Sequence, residues 1–200
     1  MPRVSDDHLA ARRAQILEAA KECFAAQGFH RTSMADVLAA SELSAGAVYR
    51  YFRSKDELIA AIAGQAGDGL AAVTAEMVAA DPVPDPAGAL LGVLAFVEGQ
   101  AAPGGSLRIA LQVWAEALRD ERLRAQVGRT YGGLRDGFVL VCRRNHEAGR
   151  LRADVDPEAL GRALYSLVPG YVLQRLLLDD HPDPETYVGD LRPLLDAMSS

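Results

Sequence analysis

The sequence predicts an all-α fold of about nine helices, separated by Gly, Pro and capping residues. Throughout the 200 residues, apolar side chains recur at intervals of three and four positions, which is the spacing of one face of an α-helix. No run of residues sustains the apolar and polar alternation that is typical of a half-buried β-strand.

The first predicted helix covers residues 7–27. Asp6 and Asp7 open it, where the helix dipole favours negative charge, and Gly28 follows its last turn. Its apolar positions are spaced for one buried face, and they are Leu9, Ile16, Leu17, Ala20 and Phe24.

Two short helices follow. Thr32 and Ser33 can cap a helix over MADVLAA, and Ser44 can cap a helix over AGAVYRY, because their hydroxyl oxygens accept hydrogen bonds from free N–H groups. Only residues 41–43 separate the two helices, which indicates a tight turn. Such a pair is the helix-turn-helix arrangement that places its second helix in a DNA major groove, although similar corners occur in domains that bind no DNA.

The rest of the chain predicts a series of longer helices. The stop signals between them include the segment DPVPDP, the run from Pro103 to Gly105, and Gly149. The predicted helices cover residues 54–80, 86–100, 106–120, 121–148, 157–178 and 184–198.

The short helix AGAVYRY has two different faces. At about 100° per residue, Val48 and Phe52 share one side, while Gly46, Ala47 and Arg50 lie on the other. Small residues beside an arginine suit close approach to base edges, because arginine bonds bidentately to guanine and an alanine methyl contacts the methyl of thymine. A tight helix crossing with a solvated arginine explains the same pattern equally well.

The formal net charge of −6 is unevenly distributed. Residues 1–55 contain eight Lys and Arg against six Asp and Glu, whereas residues 56–200 contain thirteen against twenty-one. A mildly basic N-terminal part is attracted to phosphate, and an acidic remainder favours solubility. Chance variation over a solvated surface explains the uneven charge nearly as well.

The segment TSMADVLAASELSAGAVYRYFRSKDEL resembles the signature of the TetR family of transcriptional repressors. The resemblance implies a helix-turn-helix DNA-binding domain over residues 1–55 and a larger helical domain over residues 56–200 that binds a small-molecule effector and dimerises. Such a repressor binds a palindromic operator in double-stranded DNA as a homodimer, and its effector releases it. The matching positions are Thr32, Val37, Leu43, Ser44, Gly46, Tyr49, Tyr51, Phe52, Ser54, Lys55 and Leu58.

The resemblance also implies roles for individual residues. Thr32, Ser44, Tyr49 and Lys55 would hold phosphates, which positions the protein, and Ala45, Ala47 and Arg50 would face bases, which specifies sequence. Ser33 and Gly46 complete the predicted set of DNA-binding residues, which is Thr32, Ser33, Ser44, Ala45, Gly46, Ala47, Tyr49, Arg50 and Lys55.

The sequence departs from the family pattern at Leu38, Ser41 and Glu42, where the family usually has Ala, Ala and Gly. If the turn requires a positive φ at Glu42, that residue costs on the order of 1 kcal/mol. Its charge would also lie near phosphate. The departure bears on turn geometry and DNA affinity more than on the fold.

The resemblance also implies an effector pocket and a dimer interface in the later helices, which contain no local motif for either. Apolar stripes on the last two helices predict dimer contacts at Leu164, Val168, Tyr171, Leu191 and Leu195, although both stripes could complete a monomer core. Glycines within residues 121–148 favour a cavity, because each costs about 1 kcal/mol in a helix, yet aromatic stripes are usually plain core. The predicted lining is Phe96, Gln100, Trp114, Tyr131, Phe138 and Tyr165, with Gln112, Glu116 and Gln174 as further polar groups.

Other function classes find little support. The four histidines have no recognisable catalytic partner motif, which argues against an enzyme, and Cys23 and Cys142 lie in no metal-ligand pattern, so no metal or cofactor is expected. The apolar runs are shorter than the ~20 residues that a bilayer requires, and no secretory signal is visible, so a cytoplasmic protein without membrane association is expected. A constitutive DNA-binding or protein-interaction module without effector is the alternative, and it predicts a solid aromatic core.

Overall fold

The computed structural model describes residues 6–101 and 106–200, and this part of the chain forms nine α-helices, so the predicted all-α fold is confirmed. The predicted stop at residues 103–105 lies outside the described residues. The helices are α1 (Asp6–Gln27), α2 (Met34–Ser41), α3 (Ala45–Tyr51), α4 (Lys55–Ala79), α5 (Pro86–Gly99), α6 (Leu107–Ala117), α7 (Glu121–Glu147), α8 (Pro157–Leu177) and α9 (Pro184–Asp196).

Capping side chains fix where several helices begin. Ser33 and Ser44 accept hydrogen bonds at the starts of α2 and α3, as the sequence predicts. Three later helices share a second device, an aspartate cap followed by proline at the first helical position, where proline gives up no hydrogen bond. These caps are Asp85 for α5, Asp156 for α8 and Asp183 for α9.

The chain packs as two compact units that do not follow its order. The first contains the described residues within 1–66 and 102–125, and the second contains residues 67–101 and 126–200. Helix α6 therefore belongs to the same unit as α1, α2 and α3. The predicted boundary at residue 55 concerns function rather than packing and stays a prediction.

The first unit is built on α1, which packs against both α2 and α6. The apolar face that the sequence predicts for α1 is buried from Ile16 to Phe24, while Leu9 is half-buried. Phe24 and Phe29 meet edge to face with ring centroids 5.4 Å apart. Their contact closes the end of α1, where Gly28 adopts a φ of 83°.

In the second unit, α5 packs against α8 and α9, and Phe138 and Tyr171 are completely buried. Two glycines allow helices to approach closely. A Cβ on Gly161 of α8 would lie 2.5 Å from the Val139 Cα of α7, and a Cβ on Gly137 of α7 would lie 2.5 Å from the Thr74 Cγ2 of α4. At Gly161 the close neighbour is backbone, so α7 and α8 meet at a distance that only glycine permits, whereas at Gly137 the space is filled by a side chain of α4.

Helix α4 is long and apolar enough, by length and composition alone, to cross a membrane, and an 18-residue window within it has a mean hydropathy of 1.4. This differs from the expectation that every apolar run in the sequence is too short. Core helices pass the same test, and Leu58, Ile62 and Met77 of α4 are buried within the chain.

Candidate nucleic-acid interface

Helix α2 begins with a reciprocal cap. The Ser33 hydroxyl oxygen accepts from the Asp36 N–H at 3.2 Å, and an Asp36 carboxylate oxygen accepts from the Ser33 N–H at 2.7 Å. The same carboxylate accepts the Ser33 hydroxyl proton at 2.7 Å. These bonds from the Ser33 hydroxyl and N–H hold the pKa of Asp36 below its usual value. The cap fixes the first turn of α2.

The turn between α2 and α3 is held from α1. Gln15 donates from Nε2 to the backbone oxygen of Ser41 at 2.9 Å, and the buried Ser41 hydroxyl donates to the Leu38 oxygen at 3.0 Å. Glu42 then ends α2 with φ 56° and ψ 23°, and its N–H bonds to the Ala39 oxygen. The turn therefore does place Glu42 at a positive φ, in a conformation that suits glycine.

Helix α3 buries one face and exposes the other. Val48 is 0% and Phe52 is 3% exposed, and both pack into the first unit. Tyr49 is 45% exposed despite its large ring. The remaining predicted contacts on and before this helix are also accessible: Ser44, Ala45, Gly46 and Arg50 are exposed, and Ala47 is half-exposed.

Several cations of the first unit have partners within it, whereas Arg50 has none among its described residues. Arg12 bonds to Gln15, Lys21 pairs with Glu18 at 2.7 Å, and Arg13 lies over the Phe52 ring. The Arg50 guanidinium makes no hydrogen bond or ion pair with another residue in the described ranges. Its five N–H donors remain available for an outside acceptor.

Thr32 requires a correction. It is only 1% exposed, and its hydroxyl lies 2.9 Å from the Gly28 oxygen and 3.2 Å from the Cys23 oxygen. Its N–H also bonds to the Gly28 oxygen. A side chain engaged below the surface offers nothing to phosphate, so Thr32 stabilises the end of α1, and the neighbouring Ser33 is the exposed hydroxyl.

Lys55 opens α4 and lies at the turn after α1. Its ammonium donates to the Phe29 oxygen at 2.7 Å, lies 3.4 Å from the His30 oxygen, and sits 4.6 Å from the Phe29 ring centroid. The side chain is half-exposed. Because an ammonium has three donors, one N–H is left for a phosphate oxygen.

The predicted pocket residues do not share one environment. Trp114 lies on α6 in the first unit, whereas the others lie in the second. Phe138 is completely buried, and the Phe96 ring packs over Gly69. Gln100, Trp114, Tyr131 and Tyr165 are half-buried. The glycine argument for a cavity fails at Gly137, whose missing side chain is replaced by Thr74.

Gln112 and Glu116 also lie elsewhere than predicted. Instead of serving as pocket groups, they contact the end of α1 and the turn after it, within the first unit. Gln112 bonds to the backbone there, and Glu116 Oε1 lies 3.0 Å from His30 Nε2.

Several predicted dimer contacts are internal. Leu164, Val168 and Tyr171 are at most 3% exposed, so they pack against the chain itself and give no surface to a second copy. Leu191 and Leu195 are half-buried.

The apolar surface of the last two helices lies on other positions. Leu173 and Leu177 of α8 are 41% and 68% exposed, and Leu194 of α9 is 62% exposed. Large apolar side chains with this exposure favour a covering partner.

A polar cluster joins α5 to α8. Both carboxylate oxygens of Glu98 lie 3.0 Å from Arg175 Nε, and Oε2 also accepts from the Tyr171 hydroxyl at 3.0 Å. Burial, followed by the bond to Glu98, raises the pKa of Tyr171. The phenol therefore stays neutral and fixes α8 against α5.

Family models match most of the chain. One described as bacterial regulatory proteins, tetR family, matches residues 16–62, and one described as BetI-type transcriptional repressor, C-terminal, matches residues 89–199. Together they span the helix-turn-helix and most of the later helices.

Relatives and solved structures agree with these matches. The HTH-type transcriptional repressor Rv1474c of Mycobacterium tuberculosis is 30% identical over 191 residues, which is 96% of each chain. The HTH-type transcriptional repressor AcnR of Corynebacterium diphtheriae is 27% identical over 172 residues, covering 86% of this chain and 85% of the relative. A putative transcriptional regulator from Saccharomonospora viridis, solved with choline, has a TM-score of 0.76 at 20% identity, covering 95% and 98% of the two chains.

Proposed function

Because this chain belongs to the tetR family of bacterial regulatory proteins, we propose that it is a ligand-responsive repressor that binds a palindromic operator as a homodimer and is released by a small-molecule effector. The family consists of DNA-binding regulators, so the prediction that the chain is not an enzyme is confirmed. The observation that carries the proposal is the outer face of α3, with small side chains beside the uncommitted guanidinium of Arg50.

The base contacts follow from this face. Ala45, Gly46 and Ala47 keep the backbone of α3 close to base edges, and Arg50 reaches into the major groove to bond a guanine bidentately. Tyr49 lies at the edge of the same face, where its hydroxyl donates to a phosphate.

Phosphate contacts flank the base contacts. Ser44 presents an exposed hydroxyl at the start of α3, and Lys55 offers its remaining N–H at the start of α4. Ser33 is also exposed, and its hydroxyl would have to exchange the Asp36 carboxylate for a phosphate oxygen. Charge-assisted bonds of this kind position the helix without reading sequence. The Glu42 carboxylate, which is exposed in the turn between α2 and α3, would repel the phosphates and weaken these contacts.

The dimer is proposed on the exposed leucines of α8 and α9. Leu173, Leu177 and Leu194 would meet their copies across a two-fold axis, together with the half-buried Leu191 and Leu195. A two-fold dimer presents two α3 helices to two equivalent half-sites, which is why the operator is expected to be palindromic.

Effector binding is proposed for the later helices. The C-terminal family match and the choline complex of the Saccharomonospora relative support a small organic effector, although that relative shares only the fold with this chain. Release requires the effector to favour a conformation in which the two α3 helices no longer fit both half-sites. Since the target is chromosomal DNA, we place the protein in the cytoplasm.

The test begins with selection of bound duplexes from a random pool, followed by affinity measurements on the selected sequence. Arg50→Ala should weaken operator binding about tenfold or more and relax preference at one base pair, because one bidentate contact gives 1–3 kcal/mol of discrimination, roughly. Arg129→Ala is the matched control, since Arg129 is exposed on α7 outside the interface. Failure to enrich any sequence, or equal affinities for both variants, would contradict the proposal.

A further inference from the structure

One side chain of α6 caps the end of α1. Gln112 Oε1 accepts from the Phe29 N–H at 2.6 Å, and its Nε2 donates to the Phe24 oxygen at 3.0 Å. At this helix end the Phe29 N–H has no backbone acceptor, whereas the Phe24 oxygen already accepts from the Gly28 N–H at 2.9 Å. The side-chain amide of Gln112, more than eighty positions away in sequence, gives the Phe29 N–H its acceptor and the Phe24 oxygen a second donor.

Phe29 is held from its other side by Lys55. Its N–H bonds to Gln112, while its oxygen accepts from the Lys55 ammonium at 2.7 Å and its ring lies 4.6 Å from the same ammonium. Phe29 itself is buried, with 6% exposure. Moving the Phe29 peptide would therefore move the two contacts that hold the lysine in place.

We propose that Gln112 is a positioning residue for DNA binding, which acts through Phe29 to hold the ammonium of Lys55 where it meets a phosphate. This inference rests on the proposed function. A lysine on a flexible stem loses rotamer entropy when it binds, and that loss is smaller if the ammonium is already held. Gln112 thereby raises DNA affinity without touching DNA.

A second contact supports α6 as the source of this positioning. Glu116 lies one turn after Gln112 on the same helix face, and its Oε1 is 3.0 Å from His30 Nε2. Because His30 follows Phe29 directly, α6 contacts two consecutive residues of the turn. Both polar atoms of Gln112 bond to backbone groups at the end of α1, which fixes the orientation of its amide.

The test is a double-mutant cycle on Gln112 and Lys55. The experiment measures binding of a fluorescein-labelled duplex of mixed sequence, at low salt, to wild type, Gln112→Ala, Lys55→Ala and the double variant. Binding under these conditions reports phosphate contacts and requires no known operator. Thermal melting of each variant sets a working temperature at which all four are folded. We expect Lys55→Ala to weaken DNA binding about tenfold in wild type. In the Gln112→Ala background, the loss of affinity caused by Lys55→Ala should be smaller by a factor of at least about three.

Gln112→Glu separates positioning from simple capping. The glutamate keeps an acceptor for the Phe29 N–H but loses the donor to the Phe24 oxygen. Positioning through Phe29 predicts that the effect of Lys55→Ala in this background stays near the wild-type value, even if the melting temperature falls. Simple stabilisation of α1 predicts that glutamate and alanine behave alike, which would overturn the proposal.

The remaining outcomes are distinct. Additive effects of Gln112→Ala and Lys55→Ala, or no effect of Lys55→Ala in wild type, would overturn the positioning role and leave DNA binding intact. Absence of duplex binding by wild type at low salt would overturn the proposed function itself.

Discussion

Gly161 of α8 lies so close to Val139 of α7 that an added Cβ would be 2.5 Å from the Val139 Cα. Backbone cannot yield as a flexible side chain can, so the helices would have to separate. Gly161→Ala should therefore lower the free energy of unfolding by about 1–3 kcal/mol, as overpacked cores do. Urea denaturation measures this change.

Gly128→Ala on α7 is the matched control for that substitution. Nothing lies within 4 Å of an added Cβ there, and the position is exposed. Because alanine is the better helix former, we expect stabilisation of up to about 1 kcal/mol. Equal effects at both positions would show that helix propensity, not close packing, determines the response.

Glu42 combines backbone strain with charge, and two substitutions separate them. Glu42→Gly removes the penalty of φ 56° and should stabilise the protein by up to about 1 kcal/mol in thermal or urea unfolding. Glu42→Gln keeps the strain and should leave stability nearly unchanged.

Both Glu42 variants remove the carboxylate from the proposed interface. DNA affinity should rise for both, and the slope of log affinity against log salt should steepen by up to about 0.9, the value for one phosphate contact. Fluorescence polarisation across a salt series measures the slope. An unchanged slope would mean that Glu42 lies away from the phosphates.

The proposed dimer predicts opposite results at two exposed leucines. Leu177→Asp on α8 should shift the protein to monomer in sedimentation equilibrium, because a charge would be buried between copies. Leu118 after α6 is 85% exposed, and Leu118→Asp should leave the dimer intact. A monomeric wild type, or equal dissociation of both variants, would contradict the assigned face.

The cap of α2 predicts a pH dependence at acid pH. The pKa of Asp36 is lowered from 3.8 by its hydrogen bonds with Ser33, so the folded state favours the ionised carboxylate. The ionised Asp36 carboxylate stabilises the fold fully above pH 3.8, the ordinary pKa of the group. This stabilisation is lost as the pH falls through the lowered pKa of the folded state.

Asp36→Asn should therefore flatten the acid limb of unfolding free energy against pH, measured between about pH 5 and pH 2. Asp68→Asn, at an exposed position within α4, is the control and should retain the wild-type limb. Identical limbs for Asp36→Asn and wild type would show that the cap does not depend on ionisation.

Sequence predicts the helix-turn-helix well because its signals are local. Ser33 and Ser44 cap helices that start at the predicted residues, Met34 and Ala45, and the family's usual Gly in place of Glu42 points to the positive φ found there. Each signal depends on neighbours within four positions, so no knowledge of tertiary packing is needed.

The later helices show where such reasoning stops. The stripe containing Leu164 and Tyr171 correctly indicates burial, but periodicity does not say whether the covering surface is the same chain or a copy. The sequence predicts Gln112 as a pocket residue, because nothing near it in the chain points to Phe29, which is 83 positions away. Contacts between residues so far apart in sequence depend on how the helices pack, and the periodicity of apolar residues does not predict them.

The placement of α6 among the N-terminal helices has a consequence for building hybrid repressors. A graft that joins residues 1–66 to the body of another regulator would leave behind the Gln112 amide and the Glu116 contact. A transferable module must therefore be assembled from two stretches of gene, with α6 transplanted alongside the N-terminal segment. Recombination at one crossover point would separate a pair of segments that fold together.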